Sequence, residues 1–520
     1  MRVRVSDKIT KEEASSWTPG SNVLITSPMG SGKSYFCKCE LYELAKKENR
    51  KILMLIHRAN CVEQFKYEIE HDGKTNVISV ATYQTLEYNK IHNTKNQINL
   101  SDYGYIVNDE FHYFFNDSSF NNKTAVSFKM IMENTDSVHI FMSATGEDMS
   151  NYMKDYTERN SLPKPKEYKL PFDYSFIRKL KFFFKDETME KLIKSGISKG
   201  GKGIFFIQSA EKAYKLYSKY KKYCVFNCSS NNRTYYKYVD KDKIQNILIN
   251  QRFEEQFLIT TSCFDAGINI IDREVKHIII DIVDIGSLTQ CIGRKRIQDE
   301  DDKVTVYIQA MNNQKLAGLK RSMEQKVEMA DYYAENDFSV EKLIAKYPMQ
   351  NDINNILFDD LVYDKDGTVV SYTKTLNEPM YFKKKVDIAE YKAMLSLEKF
   401  GYCKYLAQRF GFYNDKTGVY TYEMMEEEYE LKTYLEQMVK KEIVLLQSRD
   451  RSELIKKINA KQNGKLLKKA TTLNQVLEEK ELDYRIKEFS TTRYIEDSNG
   501  NKKKKKKKKI YKSAWKVVRF

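Results

Sequence analysis

Apolar residues in this chain gather in short, nearly continuous runs, separated by stretches in which they recur every three to four positions. NVLITS (Asn22 to Ser27), KILMLIH (Lys51 to His57), part of NVISVATYQTL (Asn76 to Leu86), YGYIVNDEFHYFF (Tyr103 to Phe115) and SVHIFMSAT (Ser137 to Thr145) read as strands. Short apolar runs of this kind suit strands covered on both faces, and SYFCKCELYELAKK has the helical spacing of a covering layer. LPKPKEYKLPFDYS (Leu162 to Ser175), with three prolines and no helical period, reads as a connector. The rhythm then restarts with KLKFFF, GIFFIQS, YCVFNCSS, QFLITTSCF, VKHIIIDIV and KVTVYIQA as strands. From about Gly318 it stops, and segments such as SVEKLIAKY and EYKAMLSLEKFGYCKYLAQRF read as helices. The end is different again: eight consecutive lysines follow an Asn-Gly pair that can turn a hairpin, with strand-like RYI and SAWKVVRF on either side.

At 520 residues the chain is too long for one hydrophobic core. The pattern divides it into a first α/β lobe over 1–161, a linker over 162–175, a second α/β lobe over 176–317, a mainly helical accessory region over 318–490 and a basic low-complexity tail over 491–520. The formal charge of +16 favours polyanions as partners, nucleic acid above all. Lysine enrichment from an AT-rich genome is the plain alternative for the charge alone. Eight cysteines without zinc-site spacing fit a reduced, cytoplasmic setting. The absence of a signal-peptide core or a long apolar run leads to the expectation of neither secretion nor a membrane partner.

The chemistry begins at SPMGSGKS. Gly30 and Gly32 let the backbone fold tightly, so that free N–H groups at the following helix start face an anion. Gly30, Ser31, Gly32, Lys33 and Ser34 form a candidate ATP-binding set, with Lys33 on the phosphates and Ser34 on Mg²⁺. A strand then delivers Asp109 and Glu110 at its carboxyl end, where open α/β sheets bind ligands. Asp109 suits the metal, and Glu110 is the better candidate for a base. Ser143 and Thr145 end the next strand and can couple nucleotide state to backbone position. In the second half, TTSCFDAGINI brings Asp265, Gly267 and Asn269, and QCIGRKR brings Gln290, Arg294 and Arg296. An arginine there can stabilise charge in phosphoryl transfer; a basic surface turn is the competing reading.

In this order the motifs resemble those of a superfamily 2 helicase of the DExH group, across roughly Ser21 to Ala310. DEFH matches the second motif, SAT the third, IFFIQS the fourth-motif strand, TTSCFDAGINI the fifth and QCIGRKR the sixth. Phage and viral replication helicases are the nearest flavour; DNA is favoured over RNA as partner, with the choice between them left open, and replication or other nucleic-acid-processing proteins are further candidate partners. The resemblance implies two tandem RecA-like lobes with ATP and Mg²⁺ in the cleft, followed here by a mainly helical C-terminal region with a basic tail. It gives catalytic roles to Lys33, Asp109, Glu110 and Arg294 or Arg296, and nucleotide contacts to Gly267 and Gln290. It gives coupling roles to His112, Ser143, Thr145 and Asp265, and nucleic-acid contacts to Arg58, Thr82 and Thr261.

Two departures stand out. The family's sixth motif ends Q-x-x-G-R-x-x-R, but Ile297 holds the last position here and Arg296 precedes it. No adenine-reading glutamine segment precedes the first loop. Lys502, Lys503, Lys504, Lys505, Lys506, Lys507, Lys508 and Lys509 add a candidate phosphate-binding run, expected to be mobile through self-repulsion. The leading function is an ATP-dependent helicase or translocase. The alternatives are a nucleic-acid-dependent ATPase that remodels protein complexes without unwinding, and a non-catalytic nucleic-acid-binding scaffold.

Overall fold

The computed structural model describes the chain except for residues 1–2, 93–96, 117–122, 262–268, 348–355, 364–368, 463–464, 481, 497–505 and 520. β1 (Asn22–Thr26), β2 (Ile52–Ile56), β3 (Ile78–Thr82), β4 (Tyr105–Asp109), β5 (Val138–Ser143) and β6 (Lys166–Lys169) form one sheet. Its order is β3-β2-β4-β5-β1-β6, and every pairing is parallel. Alternate residues of a strand point to opposite faces, and the core divides accordingly. Val23, Ile25, Met54, Val107 and Ile140 join one apolar cluster; Leu24, Leu53, Leu55, Ile106 and Phe141 join the other. Burial on both faces is why these strands are almost uninterruptedly apolar in the sequence.

β6 corrects the reading of residues 162–175 as connector alone. Its sequence, KEYK, has no apolar run, yet it pairs along the free edge of β1. Pairing follows from an available edge, which local composition does not reveal.

β7 (Ile177–Phe183) follows the connector, and then come β8 (Lys202–Ile207), β9 (Cys224–Asn227), β10 (Phe257–Thr260), β11 (Val275–Asp281) and β12 (Val304–Gln309). β9, β10, β8, β11 and β12 lie side by side in that order, all parallel. Two tandem parallel α/β lobes followed by further helices are thus the observed fold class, as expected.

The chain divides into two compact units: residues 1–178 with 186–411, and residues 179–185 with 412–520. The first unit holds the first lobe and, apart from residues 179–185, the second, and extends through helices Asn313–Glu335, Glu378–Ser396 and Gly401–Arg409. Within this stretch lies a hairpin the helical reading did not include. β13 (Leu357–Tyr363) pairs antiparallel with β14 (Val369–Leu376). VVSYTKTL is rich in β-branched residues, so its local preference is for strand.

The second unit is built on a three-stranded sheet of Val444–Leu445, Lys506–Arg519 and Tyr484–Glu496. Leu435, Leu473, Leu477, Trp515 and Val517 meet in its core. The backbone of Lys506 through Lys509 therefore runs in a strand, paired with Glu496 through Arg493. This corrects the expectation of a mobile run for those four lysines. The ladder and the buried Trp515 downstream hold the backbone against side-chain repulsion. Lys502 to Lys505 lie outside the described residues. Among the described residues, no helix is long and apolar enough to cross a membrane.

Candidate active site

The loop after β1 closes tightly because Gly30 and Gly32 adopt φ of 77° and 87°, the left-handed region that disfavours a side chain. Ser31 Oγ donates to Ser27 Oγ at 2.9 Å, and the Val5 amide donates to the Ser31 carbonyl at 2.9 Å, so the loop is braced inside and from the N-terminus. Lys33 Nζ folds back to the carbonyls of Ser27 and Pro28, at 3.1 and 3.5 Å. Burial lowers the proton affinity of this ammonium, while Glu110 and Asp109 act to raise it. Ser34 is exposed at the helix start.

Parallel pairing brings the ends of β1, β4 and β5 to one edge, where the Ser27 amide donates to the Ser143 carbonyl at 3.0 Å. Asp109 is the last residue of β4, and Glu110 follows in a left-handed conformation with φ of 50°. Such a conformation is costly for a residue with a Cβ and persists only where the surroundings hold it. Burial and the adjacent Glu110 charge push the Asp109 carboxyl above the usual carboxylate range. Burial would raise Glu110 too, but the His112 hydrogen bond and the Lys33 charge overcome it and hold this carboxyl well below that range.

A polar chain crosses from one lobe to the other. Ser143 Oγ donates to Glu110 Oε2 at 3.1 Å and lies 2.7 Å from His112 Nδ1. On the far side of the ring, Gln290 Nε2 lies 2.9 Å from His112 Nε2 and 3.2 Å from Thr145 Oγ1. With the Gln290 amide donating, the imidazole proton falls on Nδ1, facing Ser143 and Glu110. Gln290 rides on helix Ile285–Arg294, which begins at Asp284, whose carboxylate caps the Ser287 amide at 2.7 Å.

Arg294 ends this helix, and Lys295 is extended, with φ of −73° and ψ of 112°. Residues two apart in extended chain share a side. Lys295 turns away to a buried ion pair with Asp302, while both arginines face the cleft. The Arg294 carbonyl accepts from the Ile270 amide at 2.8 Å, and the Arg296 amide donates to the Ile270 carbonyl at 2.9 Å, which straps this turn to the end of the fifth motif. Arg296 Nε donates to Asn269 Oδ1 at 2.7 Å, and its terminal nitrogen comes so near Gly30 that a Cβ there would lie 3.1 Å away. Arg294 is buried, its Nε has no hydrogen-bond partner among the described residues, and its charge helps depress Glu110. The shortened R-K-R spacing therefore still places two guanidinium groups at the cleft.

The structure brings together Gly30, Ser31, Gly32, Lys33, Asp109, Glu110, His112, Ser143, Thr145, Gln290, Arg294 and Arg296. Asp265 and Gly267 lie outside the described residues. Arg58 starts helix Ala59–His71, and Thr82 caps the Thr85 amide at 3.1 Å. Thr261 is buried. Met29 and Gly293 join the cleft without having been singled out, and Asn269 joins it as the polar group expected there. Asn269 stood in the fifth motif, but its bond to Arg296 is a long-range contact. A Cβ on Gly293 would collide with Met29 Sδ, so this glycine permits the close approach of helix and loop.

A buried guanidinium nitrogen with no partner among the described residues, an ammonium held by two carbonyls and a loop of small residues fit a phosphate chain. Residues 4–148 match the family model described as ResIII, Type III restriction enzyme, res subunit, so the match takes in the Gly30–Ser34 loop, the acidic pair and the SAT segment. A search of curated proteins finds no match. Among solved structures, S. cerevisiae Dbp5 bound to RNA and ADP BeF3 is similar with 16% identity and a TM-score of 0.41, over 56% of this chain and 78% of that one. The DEAD-box helicase Mss116 bound to ssRNA and UDP-BeF has 15% identity and a TM-score of 0.45, over 59% and 69%. The helicase MrfA bound to DNA has 15% identity and a TM-score of 0.39, over 56% and 47%.

Proposed function

We propose that this chain is an ATP-driven motor of the superfamily 2 DExH kind that moves on, or separates, nucleic-acid strands. The observation that carries this reading is the polar chain from Glu110 through His112 to Gln290, because it joins the hydrolytic edge of one lobe to the other. A small-molecule kinase would need no such link.

In this reading the phosphate loop and Lys33 bind the phosphate chain of ATP. Ser34 and Asp109 would hold Mg²⁺, which neutralises charge on the phosphate oxygens when bound. The disfavoured negative charge of Asp109 makes it a fitting ligand, since a cation would relieve it. Glu110, held ionised, orients the attacking water and accepts its proton. Arg294 and Arg296 meet the charge that develops on the γ-phosphate. His112, Ser143, Thr145 and Gln290 make lobe apposition and hydrolysis depend on each other. Arg58, Thr82 and Thr261 belong to the nucleic-acid path, and Lys502 to Lys509 add attraction for phosphates.

The test is ATP turnover by the full chain, alone and with single strands, duplexes and forks of DNA and RNA. Turnover that rises severalfold with nucleic acid is expected, with strand displacement of at least one fork. The absence of turnover with every substrate would defeat the reading. Stimulation without displacement or movement would instead favour a remodelling ATPase.

A further inference from the structure

Lys383 lies on helix Glu378–Ser396, beyond both lobes in the chain, yet it is only 8% exposed. Its ammonium meets carboxylates from three separate segments. Nζ lies 2.6 Å from Asp387 Oδ1 on its own helix, 3.2 Å from Asp148 Oδ2 and 3.9 Å from Asp284 Oδ1. Asp148 belongs to helix Glu147–Arg159 of the first lobe, just after Ser143 and Thr145. Asp284 belongs to the second lobe and caps the helix that carries Gln290 and Arg294. Burial works against the Lys383 charge, but the fields of Asp284, Asp387 and Asp148 more than offset it and hold the ammonium well above its ordinary range.

The same helix is anchored to the first lobe beside this lysine. The Phe382 ring lies 6.2 Å from Phe115 and 5.3 Å from Tyr152, both in the lobe's apolar core. Arg159 NH1 donates to Glu378 Oε2 at 3.3 Å. The helix is therefore fixed to the first lobe by packing, while Lys383 extends from it to a carboxylate of the second.

We propose that Lys383 is a positioning residue that latches the two lobes together and sets the register of the helix bearing Gln290 and Arg294. The catalytic consequence rests on the motor reading above; the latch itself does not. The sign follows from electrostatics. With Lys383 in place, Asp148 and Asp284 are both attracted to one buried cation. Without it, Asp148 and Asp284, carboxylates on opposite lobes that are 30% and 39% exposed, lose their shared counter-charge and repel each other through a partly solvated gap, and the cleft opens.

The test uses the full chain with distance labels introduced as non-canonical amino acids at Tyr67 and Ile249, one on each lobe and each 69% exposed. Lys383→Met removes the charge and keeps most of the side-chain length. Asp284→Asn removes the partner charge but keeps a good helix cap, so it serves should Lys383→Met fail to fold. Both variants should lengthen or broaden the inter-lobe distance relative to the parent, and the double variant should go no further than either single one. Lys383→Arg should restore the parent distribution. In the turnover arm, Lys383→Met should lower kcat by about tenfold while KM for ATP stays within about twofold. A parent-like distance distribution in Lys383→Met and Asp284→Asn, or a double variant that adds the two effects, overturns the latch. An unchanged kcat overturns the positioning role even where distances move. Should the parent chain hydrolyse no ATP, the motor reading fails, and the distance arm alone still decides the latch.

Discussion

Replacing Lys33 with alanine takes an ammonium away from the carbonyls of Ser27 and Pro28 and from the reach of a bound triphosphate. Turnover should fall about 100-fold or more, with weaker nucleotide binding, because a charge-assisted donor in a water-poor cleft is lost. Steady-state turnover with a direct binding titration checks this, and undiminished turnover by the folded variant would remove Lys33 from the site. Glu110→Gln keeps the volume but removes the proton acceptor. It should cost about 10² to 10⁴ in kcat while ATP still binds. The arginines separate by a different criterion. Arg294 has a buried nitrogen without a partner among the described residues, whereas Arg296 is already held by Asn269. Arg294→Ala should therefore lower kcat with little change in the affinity for a non-hydrolysable analogue, the pattern of a contact made in the transition state. If Arg296→Ala shows that pattern and Arg294→Ala does not, the assignment reverses.

Among the elements, helix Ile285–Arg294 and the phosphate loop meet where Gly293 faces Met29. Gly293→Ala improves helix propensity by up to about 1 kcal/mol in isolation, yet its methyl group would collide with the Met29 sulfur. The contact should win, since overpacking a close interface costs about 1–3 kcal/mol. The expected result is lower kcat, recovered in Met29→Ala/Gly293→Ala. Failure of the second change to recover activity would show that the defect lies elsewhere in the helix. Both partners were legible as residues of two motifs, but their meeting was not, because Met29 and Gly293 lie in different lobes, far apart in the chain. The two-bond strap between Ile270 and the Arg294–Arg296 turn has the same character.

At the scale of the whole molecule, the last strand joins two roles that the composition separates. Lys506–Arg519 carries four lysines of the basic run at its start and Trp515 and Val517, which are core residues, near its end. Removing this strand would take Trp515 out of the second unit's core, where losing such a ring typically costs about 3–5 kcal/mol. A cleaner change is Lys506 to Lys509→Thr, which suits a strand better than a flexible Gly/Ser replacement. Nucleic-acid affinity should drop, and the slope of log affinity against log salt should shrink by about 0.9 for each lysine that neutralises a duplex phosphate. Basal ATPase should stay unchanged. Titrations at several salt concentrations check this, with melting of the second unit as the control for folding. An unchanged salt slope would remove these lysines from the binding surface.

The local sequence was enough to mark most of the strands of both lobes, since a strand covered on both faces must be apolar nearly throughout. It also marked the phosphate loop, because only glycines pass easily through the left-handed turns at Gly30 and Gly32. The acidic pair was legible from its place at a strand end. Tertiary structure alone decided the rest. The KEYK strand needed the free edge of β1, and the last four lysines of the basic run lie in a paired strand because it continues into a segment with a buried tryptophan. Arg296 reached the cleft despite its displaced position because an extended Lys295 put it on the same side as Arg294. Lys383 reads as one of three consecutive lysines on a helix, and its partner Asp148 stands 235 residues away. Periodicity and turn chemistry act among neighbours in the chain. An ion pair or strand edge depends on which distant segments the folded core brings together, and so these features became visible only in three dimensions.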